Sequence, residues 1–186
     1  MPSDSKQQKS PFSFDPGQYP HYFKEMEVPA KSILLREGQV SRKAYYINKG
    51  CMRLWFNHNG KEISFQFFFE GEAVSSLESF RLRSPSLFNL GTIEDCTLLM
   101  ISRQNFDLLL REIPGYQEFL LSIQYERLAH YSRLFLSRIR DKPEKRYLDL
   151  LKHYPHILQR VPLQHIASYL GITAVPLSRM RKKIHK

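Results

Sequence analysis

The chain has 186 residues, 42% of them hydrophobic and 13% aromatic, enough to bury a core and too many for a disordered tail. No stretch approaches the roughly 20 apolar residues of a membrane span, residues 1–10 lack the apolar run of a secretion signal, and two widely spaced cysteines, Cys51 and Cys96, read as free thiols in a reducing cytoplasm. The net charge of +10 is segregated: residues 1–126 hold 14 Lys and Arg against 15 Asp and Glu, and residues 127–186 hold 14 against 3, which favours a polyanion-binding surface over a merely solvated one.

Residues 1–20 are rich in Ser, Pro, Gln and Lys and predict a flexible arm. From about Glu25 to Ser102 short β-type runs follow, at 32–35, 44–47, 52–56, 63–69 and 97–101. They are separated by turn signals at Glu37-Gly38, Lys49-Gly50, Asn59-Gly60 and Glu70-Gly71. Turns every 10 to 12 residues predict an antiparallel barrel or sandwich. Asn59-Gly60, between the aromatic runs around Trp55 and Phe65, predicts a type I′ hairpin, because both central residues of that turn need positive φ.

Beyond Ser102 the pattern turns helical. A short helix over 104–112 ends at Pro114-Gly115, and residues 116–140 then run without Gly or Pro, roughly 37 Å if helical. Leu121, Tyr125, Leu128, Phe135 and Ile139 form one seam of this helix. Tyr116, Phe119, Ile123, Tyr131 and Leu134 lie elsewhere around it, so it needs cover on more than one side. One face can pack on the barrel, and the same helix of a second subunit covers the other; an internal bundle helix is the alternative. Asp141 as N-cap, Pro143 in the first turn and Glu144 near the helix start then predict a helix to about Lys152.

The last 25 residues carry the chemistry. A helix over 163–170 presents Ile166, Ala167 and Leu170 as a buried face, Gly171 supplies positive φ for a tight turn, and Ile172 plugs the gap. Thr173 caps a second helix that tolerates Pro176 in its first turn. That second helix sets Leu177, Met180 and Ile184 inward and leaves Ser178, Arg179, Arg181, Lys182 and Lys183 outward. A basic amphipathic helix after a glycine turn suits the major groove.

At these residues the chain resembles the Crp/Fnr family of transcription regulators over about residues 25–186. Glu37-Gly38-Gln39 followed by Ala44-Tyr45-Tyr46-Ile47-Asn48-Lys49-Gly50 is similar to the start of the family's barrel, Asn59-Gly60-Lys61-Glu62 to its hairpin, and 161–183 to its helix-turn-helix. The resemblance implies an α+β fold: an N-terminal double-stranded β-helix (jelly-roll) of the cyclic-nucleotide-binding type over 21–114, a dimerisation helix over 115–140, and a C-terminal winged helix-turn-helix over 141–186. It implies a homodimer on double-stranded DNA, an effector that shifts the dimer helices and so the spacing of the two recognition helices, and RNA polymerase as a further partner.

Nucleotide-binding members hold the cyclic phosphate with a Gly-Glu pair and an arginine shortly after. Here the matching positions are Ser75, Ser76 and Ser86, with Leu87 beside the last, while Tyr131 and Ser132 match the purine contacts of the dimer helix. Cyclic AMP is therefore not the expected ligand, no cofactor is expected, and the regulator is controlled by an unassigned effector or by none. No cysteine precedes Cys51, which excludes the iron–sulfur branch. In the second helix Ala174 and Val175 replace the relatives' base-reading Arg and Glu. Arg179 is then the guanine-reading residue, Thr173 and Ser178 meet phosphates or base edges, Val175 meets a thymine methyl, and Arg181, Lys182 and Lys183 meet the backbone.

Two other classes compete. A cupin-type metalloenzyme needs several histidines inside the barrel, yet only His21 and His58 precede residue 130, so an enzyme is not expected. A sensor or scaffold whose helical tail binds protein accounts for Ala174 and Val175, and salt dependence separates it from a DNA binder.

Overall fold

The structure, a computed structural model, describes residues 14–184. Eight strands pair antiparallel in two sheets: β1 (Phe23–Val28), β2 (Ile33–Leu35), β3 (Lys43–Lys49), β4 (Met52–His58), β5 (Lys61–Phe68), β6 (Ala73–Val74), β7 (Asn89–Thr92) and β8 (Cys96–Ser102). One sheet runs β1-β8-β3-β6 and the other β2-β7-β4-β5, so strands distant in sequence lie side by side, and the short helix α1 (Leu77–Leu82) bridges the sheets' connection. Inward residues such as Ile47, Met52, Leu54, Phe68, Leu90 and Leu98 fill the space between them.

The hairpin expected at Asn59-Gly60 is present. β4 ends at His58, β5 begins at Lys61, and the two residues between have φ of 50° and 73°. In β4 burial does not alternate. Met52 and Leu54 face the sandwich core, and Cys51, Arg53 and Trp55 on the other face are buried as well, which requires a second layer on the outside of that sheet.

Helix α2 (Arg103–Glu112) opens with the Ser102 hydroxyl accepting from the Asn105 N–H at 3.2 Å. Of the flexible arm expected over 1–20, the part from Phe14 on is corrected. Residues 1–13 lie outside the described residues, but from Phe14 the chain is packed. Phe14 stacks on Tyr19 and meets Tyr116 and Phe119, the Asp15 carboxylate accepts from Gly17, and the Tyr22 hydroxyl donates to Glu112. Four aromatic rings on one small surface outweigh the prolines that suggested an arm.

Helix α3 (Tyr116–Arg140) runs its 25 expected residues. Tyr116, Phe119, Ile123, Tyr131 and Leu134 are buried or half-buried against the sandwich, whereas Leu121, Tyr125, Leu128, Phe135, Leu136 and Ile139 are exposed, each at least half.

Four helices follow: α4 (Pro143–His153), α5 (Pro155–Arg160), α6 (Leu163–Tyr169) and α7 (Ala174–Ile184). Two expectations are corrected. Asp141 is not the cap of α4. Lys142 takes that place, and the buried Asp141 carboxylate accepts instead from Arg140 and Lys145, which hold it below the usual carboxylate range. The wing has no counterpart among the described residues: every strand precedes Arg103. The segment before α6 is helical because Pro155 starts a turn that buries Ile157.

Candidate nucleic-acid interface and effector pocket

Helices α6 and α7 meet across a tight turn in which Gly171, at φ 71°, adopts the left-handed conformation that lets the chain reverse. Leu177 is fully buried and Met180 packs beside it on the cluster of Tyr147, Leu150, Ile166, Ala167 and Leu170. With that face inward, Thr173, Val175, Arg179 and Lys182 are exposed, and Ser178 and Arg181 are half-exposed. Val175, Ser178, Arg179 and Lys182 follow i, i+3, i+4, i+7 spacing and share one outward face. Lys183, the remaining expected contact, sits 3.4 Å from Glu144 in an exposed ion pair with α4.

The turn is held from two sides. The Arg138 guanidinium, at the end of α3, donates to the Tyr169 carbonyl, and Arg146 of α4 donates to the Leu170 carbonyl at 2.7 Å and to the Asp141 carbonyl at 2.7 Å. Cations on the last carbonyls of α6 answer its free acceptors and its dipole. Burial lowers the pKa of Arg138, and the neighbouring Arg146 lowers it further.

The second layer on β4 and β5 is α6 itself, and no sequence pattern indicated it. Cys51, Phe67 and Phe69 of the sandwich join Ile166, Ala167 and Leu170 in one apolar cluster. Around it, the Ser64 N–H donates to the Ser168 hydroxyl at 3.1 Å, and the Ser168 hydroxyl lies 3.0 Å from that of Ser64. Arg53, buried under the helix with its guanidinium 4.2 Å above the Trp55 ring, reaches Glu62 at 2.5 Å and Nδ1 of His165 at 2.6 Å. His165 therefore accepts as a neutral imidazole; burial, then the charge of Arg53, lowers its pKa to about 4. Arg160 clamps Glu70 at 2.8 Å and Glu94 at 2.6 Å, and its hydrogen bonds hold the Glu70 carboxyl down to about 2.

The pocket positions are brought together in part. Ser75, Ser76, Leu87 and Tyr131 line a cavity of about 400 Å³ between the sandwich and α3. Ser86 is buried with its hydroxyl donating to the Phe88 carbonyl at 2.6 Å and hydrogen-bonded to Ser76 at 2.8 Å. Ser132 is on the exposed side of α3, its hydroxyl donating to the Leu128 carbonyl at 2.9 Å. The sequence reading also missed a residue. Arg127, one helical turn before Tyr131 and on the same face, lines this cavity, donates to the Ala73 carbonyl and lies 5.5 Å from the centre of the Phe68 ring. The i, i+4 relation to Tyr131 was the available signal.

The chain is a jelly-roll-like sandwich with a long helix across it and a basic two-helix unit at the end. Residues 25–112 match the cyclic nucleotide-binding domain family, and no curated protein matches the chain. Among solved structures the chain is similar to the c-di-GMP-responsive global regulator CLP of Xanthomonas campestris, at 20% identity over 91% of this chain and 89% of that one, with a TM-score of 0.73. FixK2 of Bradyrhizobium japonicum shares 15% identity over 88% and 84% (TM-score 0.73), and a Crp/Fnr-family transcriptional regulator of Eubacterium rectale 14% over 89% and 80% (TM-score 0.70). Residues 25–112 are thus similar to a cyclic nucleotide-binding domain, and the chain has the fold seen in solved Crp/Fnr-family transcription regulators. Among the described residues no helix is long and apolar enough to cross a membrane.

Proposed function

We propose that the chain is a cytoplasmic, homodimeric, sequence-specific DNA-binding transcription regulator in which α6 and α7 form the helix-turn-helix. The observation that carries this is the outward face of α7, where Val175, Ser178, Arg179 and Lys182 stand free of the core that Leu177 anchors. Such a face fits the major groove, with Arg179 placed for a bidentate contact to guanine, Thr173 and Ser178 for phosphates or base edges, Val175 for a thymine methyl, and Arg181, Lys182 and Lys183 for the backbone.

The exposed stripe on α3 supplies the dimer contact. Leu121, Tyr125, Leu128, Ser132, Phe135 and Ile139 alternate by four and three residues, the spacing of a two-stranded coiled coil. Two recognition helices related by its two-fold axis would then address half-sites about one helical turn, roughly 34 Å, apart. Because Arg138 ties the end of α3 to the carbonyls of the turn, a shift of α3 moves the helix-turn-helix with it. The activating molecule is not cyclic AMP: Ser76 and Ser86 satisfy each other where the phosphate's arginine and its partner would stand.

Titration of operator and random DNA against salt tests the reading. Affinity should fall as a power of salt concentration, with an exponent of about 0.9 per neutralised phosphate. Arg179→Ala should cost roughly 1–3 kcal/mol on the operator and relax preference at one base per half-site. Salt-independent capture of a protein would favour the tail as a protein-docking element, and equal losses on both DNAs would remove Arg179 from base reading.

A further inference from the structure

A second cavity lies on the outer face of the β1-β8-β3-β6 sheet, with a volume of about 830 Å³. Its floor is β1, β3, β6 and β8, with Phe23, Ala44, Tyr46 and Ile101 facing it, and its walls are α1, α2 and α3, with Phe80, Phe106, Tyr116, Leu120 and Ile123. This size and lining are those of a small-molecule site, a mostly apolar hollow with a few polar groups. The polar groups are gathered toward α1 and α3: Glu78, Arg81, Gln124 and Arg127.

Two guanidinium groups and one carboxylate stand among these lining groups, with Asp107 beside Arg81 and Glu72 within electrostatic reach of Arg127. Arg81 is 3.8 Å from Asp107 in a loose, half-exposed pair, and Arg127 makes no ion pair among the described residues, its guanidinium donating instead to the neutral Ala73 carbonyl. Arg127 and Gln124 also line the 400 Å³ cavity, so the charged end of this hollow opens beside the position that cyclic nucleotides occupy by resemblance.

We propose that this cavity binds an amphipathic anion, a carboxylate or sulfonate on an apolar chain or ring, with the head group on Arg127 and Arg81 and the apolar body among Phe80, Phe106, Leu120 and Ile123. One wall is α3 itself, and Leu121, at the cavity's edge, is exposed on the apolar stripe. An occupant therefore presses on the same helix whose far end grips the turn between α6 and α7 through Arg138. That regulatory consequence rests on the DNA-binding reading; the binding site does not.

The test is a fluorescence titration of the full chain with anilinonaphthalene sulfonate, followed by displacement with dodecanoate and with dodecyltrimethylammonium, which share a chain and differ in head charge. Expected are one probe site per chain, displacement by dodecanoate at least tenfold more effective than by the cation, and loss of that preference in Arg127→Gln. Ile123→Trp, which fills the hollow, should weaken probe binding at least tenfold while the melting transition stays cooperative. Phe135→Ala should leave binding unchanged. No saturable binding, equal displacement by the two heads, or loss of binding in Phe135→Ala would overturn the proposal, the last by moving the probe to the exposed stripe. Tighter binding after removal of residues 2–13 would overturn it too, by making that segment the resident occupant. The titration contains no DNA, so its failure leaves the regulator reading standing, and failure of the salt titration leaves this site standing.

Discussion

Truncating Phe135 to alanine separates the packing of one chain from the assembly of two. In the single chain Phe135 is 66% exposed, and Leu128 and Ile139, its neighbours on the stripe, are 62% and 70% exposed. Fully burying a side chain of this size is worth about 1.5–3 kcal/mol, so covering the remaining two-thirds is worth about 1–2 kcal/mol per copy. A two-fold interface buries it twice. The variant should therefore weaken the dimer by about 2–4 kcal/mol, about 30- to 700-fold in Kd. The isolated chain should keep its stability within about 0.5 kcal/mol, because the ring faces solvent there. Sedimentation equilibrium over a concentration series reads the first quantity, and denaturant unfolding at a concentration where both proteins are monomeric reads the second. A wild-type chain that stays monomeric throughout, or a variant with unchanged Kd, refutes the α3 interface. A large loss in monomer stability shows instead that the stripe is covered within the chain.

Gly171→Ala should destabilise the chain by about 1–2 kcal/mol, the cost of the left-handed conformation. The new Cβ meets the guanidinium ends of Arg138, at 3.3 Å, and Arg146, at 3.8 Å, so a melting temperature lower by about 2–8 °C is expected, and an unchanged one would remove the strain argument. The contact of His165 with Arg53 gives the α6 docking a pH dependence. His165 titrates at about 4 in the folded chain and about 6.5 unfolded. The unfolded chain therefore takes up the proton first as pH falls. The contribution is complete above about pH 6.5, is lost as pH falls toward 4, and amounts to about 1 kcal/mol after solvent screening. Stability against pH should flatten over that interval in His165→Gln; an identical slope in both proteins would remove His165 from the docking. Millimolar cyclic AMP should leave the melting temperature unchanged, whereas a dose-dependent rise would show that Arg127 serves the phosphate after all.

The parts legible in the sequence were those written in short-range pattern. Asn59-Gly60 fixed a hairpin to the residue, the absence of Gly and Pro over 116–140 gave α3 both ends, and Gly171 between two apolar helices gave α6 and α7. β1 was missed because Phe23–Val28 is an edge strand of which only Val28 is buried, so its face shows little alternation. β7 was missed for the opposite reason: all four of its residues, Asn89–Thr92, are buried, among them two polar residues and a glycine. α5 was not expected: it has only six residues, and Pro155 begins it. The docking of α6 on the sandwich joins Ser64 to Ser168 across 104 residues, and no local rule reaches that far.

That docking bears on modularity. Cys51, Phe67 and Phe69 lie in or beside β4 and β5 in the chain but belong to the carboxy-terminal cluster in space. Cut at Asp141, the tail would expose Ile166, Ala167 and Leu170, and the sandwich would expose Arg53 without its imidazole partner. The two halves cannot be exchanged with those of other chains of this fold one at a time. A chimera has to carry the outer face of β4 and β5 together with the helices it supports, so the sandwich surface and the carboxy-terminal helices are free to diverge only as a pair.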